Sequence, residues 1–98
     1  EMSLKSAVPT PNDYIARYSS ELDLNPEIEM KARELLQRAL TNGIPGGEPA
    51  SIAAALIYLA AKIQGMKVTQ KDITLITGVT DTTIRTRYRE LKTMFQDT

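Results

Sequence analysis

Ten consecutive apolar residues, Ile52-Ala53-Ala54-Ala55-Leu56-Ile57-Tyr58-Leu59-Ala60-Ala61, lie between Pro49 and Gly65 in a chain of 98 residues. Proline in a first helical turn and glycine just past the last one punctuate a helix, so the spacing predicts one over Pro49 to Gln64. A helix that is apolar on every side is buried on every side. In so small a domain it must be the central rod around which the rest packs, and its alanines let neighbouring backbones approach closely. The run stops at Lys62, far short of the roughly 18 apolar residues a membrane span needs. No transmembrane segment and no secretory signal are expected.

The same punctuation recurs along the chain. Thr10-Pro11-Asn12-Asp13 sets a hydroxyl at the N-cap, proline at the first helical position and a carboxylate at the third, predicting a helix from Pro11 to about Leu22. Asn25-Pro26-Glu27 repeats the device. Ile28, Ala32, Leu35, Leu36, Ala39 and Leu40 then follow at helical spacing until Asn42-Gly43. The Gly43-Ile44-Pro45-Gly46-Gly47 segment reads as a loop, and without Gly-Lys-Ser/Thr it is no phosphate cradle. Thr69-Gln70-Lys71-Asp72 opens a short helix that stops at Gly78. Thr80 caps a last helix with Ile84, Tyr88, Leu91 and Phe95 on one face. The β-rich composition of residues 73–77 is outweighed by that cap and that stop. The expected fold is all-α, with five helices in one domain over residues 10–95. Residues 1–9 read as disordered or appended.

Composition excludes much chemistry. With no His and no Cys there is no Ser-His-Asp triad, no thiol or imidazole nucleophile, no disulfide and no His/Cys zinc site. Ser51 and Tyr58 have no base beside them in the sequence. The chain therefore reads as a non-enzyme without cofactor or metal. Twelve Lys+Arg balance twelve Asp+Glu, yet the balance is uneven by position. Residues 1–61 hold five basic and eight acidic side chains, net −3, and residues 62–98 hold seven and four, net +3.

That basic third follows a helix-turn-helix plan over residues 69–93. Gly78 supplies positive φ between two steeply crossing helices, and Ile73, Val79 and Ile84 hold them together. Thr74 stands where the motif usually has alanine. The second helix then presents Asp81, Thr82, Thr83, Arg85, Thr86 and Arg89, a face that suits a major groove. Threonine methyls pack on thymine methyls and arginine reads guanine bidentately. Lys67, Lys71, Arg87, Arg89 and Lys92 are candidate phosphate contacts. The plain alternative is a solvated basic helix face. Tyr14 and Tyr18, four residues apart, read as core or core-edge aromatics.

Pro11-x-x-Tyr14-Ile15-x-Arg17-Tyr18, Leu22-x-Leu24, Pro49 leading into Ile52–Ala60, and Thr69-Gln70-Lys71-Asp72-Ile73 through Gly78-Val79-Thr80-Asp81-x-Thr83-Ile84-Arg85-x-Arg87-Tyr88-x-Glu90-Leu91 resemble the second, C-terminal cyclin-like repeat of transcription factor IIB, most closely archaeal transcription factor B. The resemblance covers about Pro11 to Leu91. It implies a five-helix cyclin fold that binds double-stranded promoter DNA beside the TATA-binding protein and supports RNA polymerase recruitment through the full-length factor. It implies Thr82 and Arg85 as base contacts in the element upstream of the TATA box. The further DNA contacts expected from the residues themselves are Lys67, Lys71, Thr83, Thr86, Arg87 and Arg89. A monomeric repeat, cytoplasmic and nucleoid-associated in an archaeon or nuclear in a eukaryote, is the corresponding setting. Thr82 replaces a common valine, Glu48 a common Lys or Arg, and Val68 a common Arg. If those two basic residues touch phosphate in relatives, their loss lowers the salt slope by roughly two and makes DNA affinity modest. The other reading is a cyclin-box scaffold that uses the groove beside the third helix to hold a protein.

Overall fold

A computed structural model of the chain describes residues 10–43 and 48–96. The expectations for residues 1–9 and for loop residues 44–47 lie outside the described residues. Five helices follow in order: α1 (Pro11–Glu21), α2 (Pro26–Asn42), α3 (Pro49–Gln64), α4 (Gln70–Thr77) and α5 (Asp81–Gln96). Among the described residues there is no strand.

The helix starts show why these segments fold where they do. Thr10 Oγ1 accepts the Asp13 N–H at 3.3 Å, and the Asp13 carboxylate accepts the Thr10 N–H at 2.9 Å. Thr69 and Asp72 form the same reciprocal pair at 3.0 and 3.3 Å, so both helices open on a full capping box. Thr80 Oγ1 accepts the Thr83 N–H at 3.2 Å at the start of α5. Asn25 departs from expectation, since its side chain makes no capping bond. Pro26 already sets the helical φ there and has no N–H to satisfy.

α3 is the rod expected from its sequence. Every residue from Ser51 to Ala61 is buried, and α3 packs against each of the other four helices. Ile15 comes to it from α1, Ile28, Ala32, Leu35 and Leu36 from α2, Ile73 from α4, and Ile84 and Leu91 from α5. Each fully buried Ile or Leu contributes about 1.5–3 kcal/mol relative to exposure, so the core is assembled around a helix that could not exist alone in water. Leu40 corrects the apolar series of α2. Ala39 takes the core-facing position, and Leu40, one residue further round, is 53% exposed. Tyr14 and Tyr18 stack tilted with centroids 5.5 Å apart, Tyr18 within the core and Tyr14 at its edge.

The α4–α5 turn is built by Gly78, at φ 77°, ψ −1°, whose N–H donates to the Thr74 carbonyl at 2.9 Å. Ile73 and Ile84 are fully buried and Val79 is half-buried against them. α5 therefore leaves the core at its N-terminal end with one side uncovered.

Candidate nucleic-acid interface

α5 is amphipathic. Ile84 and Leu91 are buried, with Tyr88 and Phe95 packed beside them on the inward side. At about 100° per residue, positions 82, 85, 86 and 89 fall within one arc on the opposite side. Thr82, Arg85, Thr86 and Arg89 are all exposed, with Lys92 continuing the same stripe one turn further on. The Thr86 hydroxyl donates to the Thr82 carbonyl at 2.9 Å, which steadies its position and leaves its oxygen free to accept. Arg85 Nη2 lies 4.0 Å from the Asp81 carboxylate. Both side chains are more than half exposed, so the pair is a loose restraint on the guanidinium and not a lock.

Two of the expected contacts stand off this stripe. Thr83 is half-buried, with its N–H and its hydroxyl both engaged with Thr80 Oγ1 at 3.2 and 2.9 Å. It is part of the helix cap. Arg87 lies on the inward flank, paired through Nη1 with Glu90, its Nε buried without a partner. Its side chain is 23% exposed, so it braces α5 where the sequence placed it outward. Lys67 and Lys71 are exposed at the α3–α4 loop and the first turn of α4, and neither is ion-paired among the described residues.

Several features were not anticipated from sequence. The Tyr58 and Tyr88 rings meet edge-on with centroids 5.0 Å apart, locking α5 to the central helix. Gln70 Nε2 donates to Tyr58 Oη at 3.3 Å, so the start of α4 is tied to the same pair. Tyr58 thus serves as an acceptor in a structural link. Val68, in place of a basic residue, is half-buried against the core, while Glu48 is exposed at the N-cap of α3 without a side-chain capping bond. No cluster of three metal-ligating side chains occurs among the described residues, and none of their helices is long and apolar enough to cross a membrane.

Sequence comparison agrees with this architecture. The family model for the transcription factor TFIIB repeat matches residues 4–94. A transcription initiation factor IIB of Methanococcus maripaludis is 44% identical over 92 residues, covering 93% of this chain and 27% of that protein. The factor of Methanocaldococcus jannaschii is 42% identical over 93% of this chain and 14% of its own length. Transcription initiation factor IIB 2 of Halobacterium salinarum is 41% identical over 93% of this chain and 28% of its own length. The chain spans less than a third of each of these archaeal relatives, the extent of a single repeat. Four helices packed around a buried α3, a C-terminal helix-turn-helix and a family match across nearly the whole length make this chain a member of the TFIIB repeat family, with its cyclin-like all-α fold.

Proposed function

We propose that this chain is the C-terminal, promoter-binding repeat of a general transcription initiation factor. In this reading α5 enters the major groove upstream of a TATA box, with Thr82 and Arg85 at base edges. Thr86, Arg89, Lys67 and Lys71 meet the backbone, and the neighbouring TATA-binding protein shares the site. RNA polymerase is recruited through the longer factor, and the role is non-catalytic. The supporting observation is the exposed stripe Thr82, Arg85, Thr86 and Arg89 on a helix whose other side is fixed in the core. Thr83 and Arg87 act from within, as cap and brace.

The test is duplex titration at two salt concentrations, alone and with TATA-binding protein and TATA-containing DNA, comparing the unaltered chain with Arg85→Ala. Loss of a bidentate arginine costs about 1–3 kcal/mol and relaxes preference at one base pair. The ternary arm matters because linked modules raise each other's effective concentration. Salt-independent binding, or base preference unchanged by Arg85→Ala, would remove the reading.

A second reading, a protein-binding scaffold, has one observation in its favour. A groove between α2, α3 and α5 has an apolar floor of Leu35, Leu59, Ile63 and Phe95, with Ile63 half exposed. It gains weight if the DNA titrations fail.

A further inference from the structure

Apart from Arg38, which lies 5.2 Å over the centre of the Phe95 ring, the basic side chains of the described residues divide into two sets. Arg17, Lys31, Arg33, Arg85 and Arg87 each have a carboxylate partner. Lys62, Lys67, Lys71, Arg89 and Lys92 are in none of these ion pairs, and all five belong to the last third of the chain. Three of the five converge. Lys62 from the last turn of α3, Lys67 from the loop and Lys71 from the first turn of α4 line one groove of about 510 Å³ with Tyr58, Thr69 and Gln70. No carboxylate lines it. The nearest acid in sequence, Asp72, is engaged by the Thr69 N–H at 3.3 Å and lines, with Glu21, an adjoining depression that Lys67 also borders.

The groove is not isolated from α5. Lys62 Nζ sits 5.3 Å from the centre of the Tyr58 ring, Tyr58 meets Tyr88 edge-on at 5.0 Å, and Lys92 Nζ sits 5.8 Å from the centre of the Tyr88 ring. Lys62 and Lys92 therefore flank one aromatic pair. Positive charge runs from Arg89 and Lys92 on α5, past that pair, into the three-lysine groove over the positive end of the α4 dipole. Like charges gathered in a groove that no carboxylate lines repel one another in the free protein. That repulsion is relieved when a polyanion lies along them.

We propose that the groove holds successive backbone phosphates of the bound DNA, with Lys62, a residue outside the helix-turn-helix, as a direct phosphate contact. This rests on the reading of α5 as the DNA-facing helix. It extends the contacted surface beyond α5 and the start of α4 to the end of the central helix. A duplex fits better than an acidic protein segment because the charges form a track continuous with the α5 stripe, as a strand of regularly spaced phosphates requires.

The experiment measures duplex affinity of the chain between 50 and 200 mM salt for the unaltered protein, Lys62→Gln, Lys62→Arg and Arg85→Ala, on a preferred and a scrambled duplex. Lys62 is exposed, and melting curves establish that each variant is folded. Lys62→Gln is expected to lower the slope of log K against log salt by about 0.9, one phosphate contact, and to weaken both duplexes equally, with base preference intact. Over that fourfold salt range, such a contact changes affinity by about 3.5-fold. Lys62→Arg should keep the slope. An unchanged slope in Lys62→Gln, with Arg85→Ala still relaxing base preference, overturns the groove and leaves the α5 reading standing. Absence of salt-dependent DNA binding by the unaltered chain, both alone and with TATA-binding protein on TATA-containing DNA, overturns both. If Lys62→Gln weakens binding to polyglutamate and leaves the DNA slope unchanged, the groove belongs to an acidic protein partner and the proposal fails.

Discussion

Gly78 sits between α4 and α5 at φ 77°, where an L side chain is strained by its own backbone. A Cβ placed there would meet no atom within 4 Å, so packing adds nothing to the cost of substitution. Gly78→Ala should therefore destabilise by about 1–2 kcal/mol, the left-handed penalty alone, and lower the melting temperature by roughly 5–10 °C. Gly78→Asn should cost less, because asparagine tolerates this region through local hydrogen bonding. Thermal melting of the two variants checks the order. Equal losses would mean that something other than backbone conformation sets the turn.

Thr74 shows the same turn at the scale of two helices meeting. It stands where small side chains commonly let such helices close, and the helices still pack with Ile73 and Ile84 fully buried. The consequence falls on the hydroxyl, since Thr74 Oγ1 is buried with no hydrogen-bond partner. Thr74→Val keeps the shape and removes the stranded polar atom. It should raise stability by about 1 kcal/mol, read as a higher urea midpoint at unchanged slope. What was legible in the sequence at this scale follows from range. Capping boxes at Thr10 and Thr69 join residues three apart, so the chain itself spells them, and the all-apolar α3 can only be a core rod. Leu40, Thr83 and Arg87 differ in burial from what the local pattern predicts, because each lies at the margin of a helical face. At a margin the neighbouring element, absent from a local pattern, decides burial. The Tyr58–Tyr88 contact and the convergence of Lys62 with Lys71 bring separate helices together, and no spacing rule reaches them.

For the molecule as a whole, charge and titration bear on stability in different pH ranges. With neither His nor Cys, the chain has no side chain whose ordinary pKa lies between about 5 and 9, so stability should be flat there. On the alkaline side one buried group stands out. Tyr18 is 4% exposed, and its pKa is raised above the usual 10.0, first by burial and next by the neighbouring Tyr14. Arg17 pulls the other way and Glu21 adds to the rise. A phenol whose folded pKa exceeds its unfolded value holds its proton more tightly when folded. Its contribution is complete below pH 10 and is lost as pH climbs from there through the folded pKa. Urea midpoints from pH 6 to 11 should thus stay level to about pH 9 and then fall. Tyr18→Phe, which retains the ring against Tyr14, should reduce that alkaline fall. An identical fall in both proteins would mean that the Tyr18 phenol does not set the alkaline limit of stability.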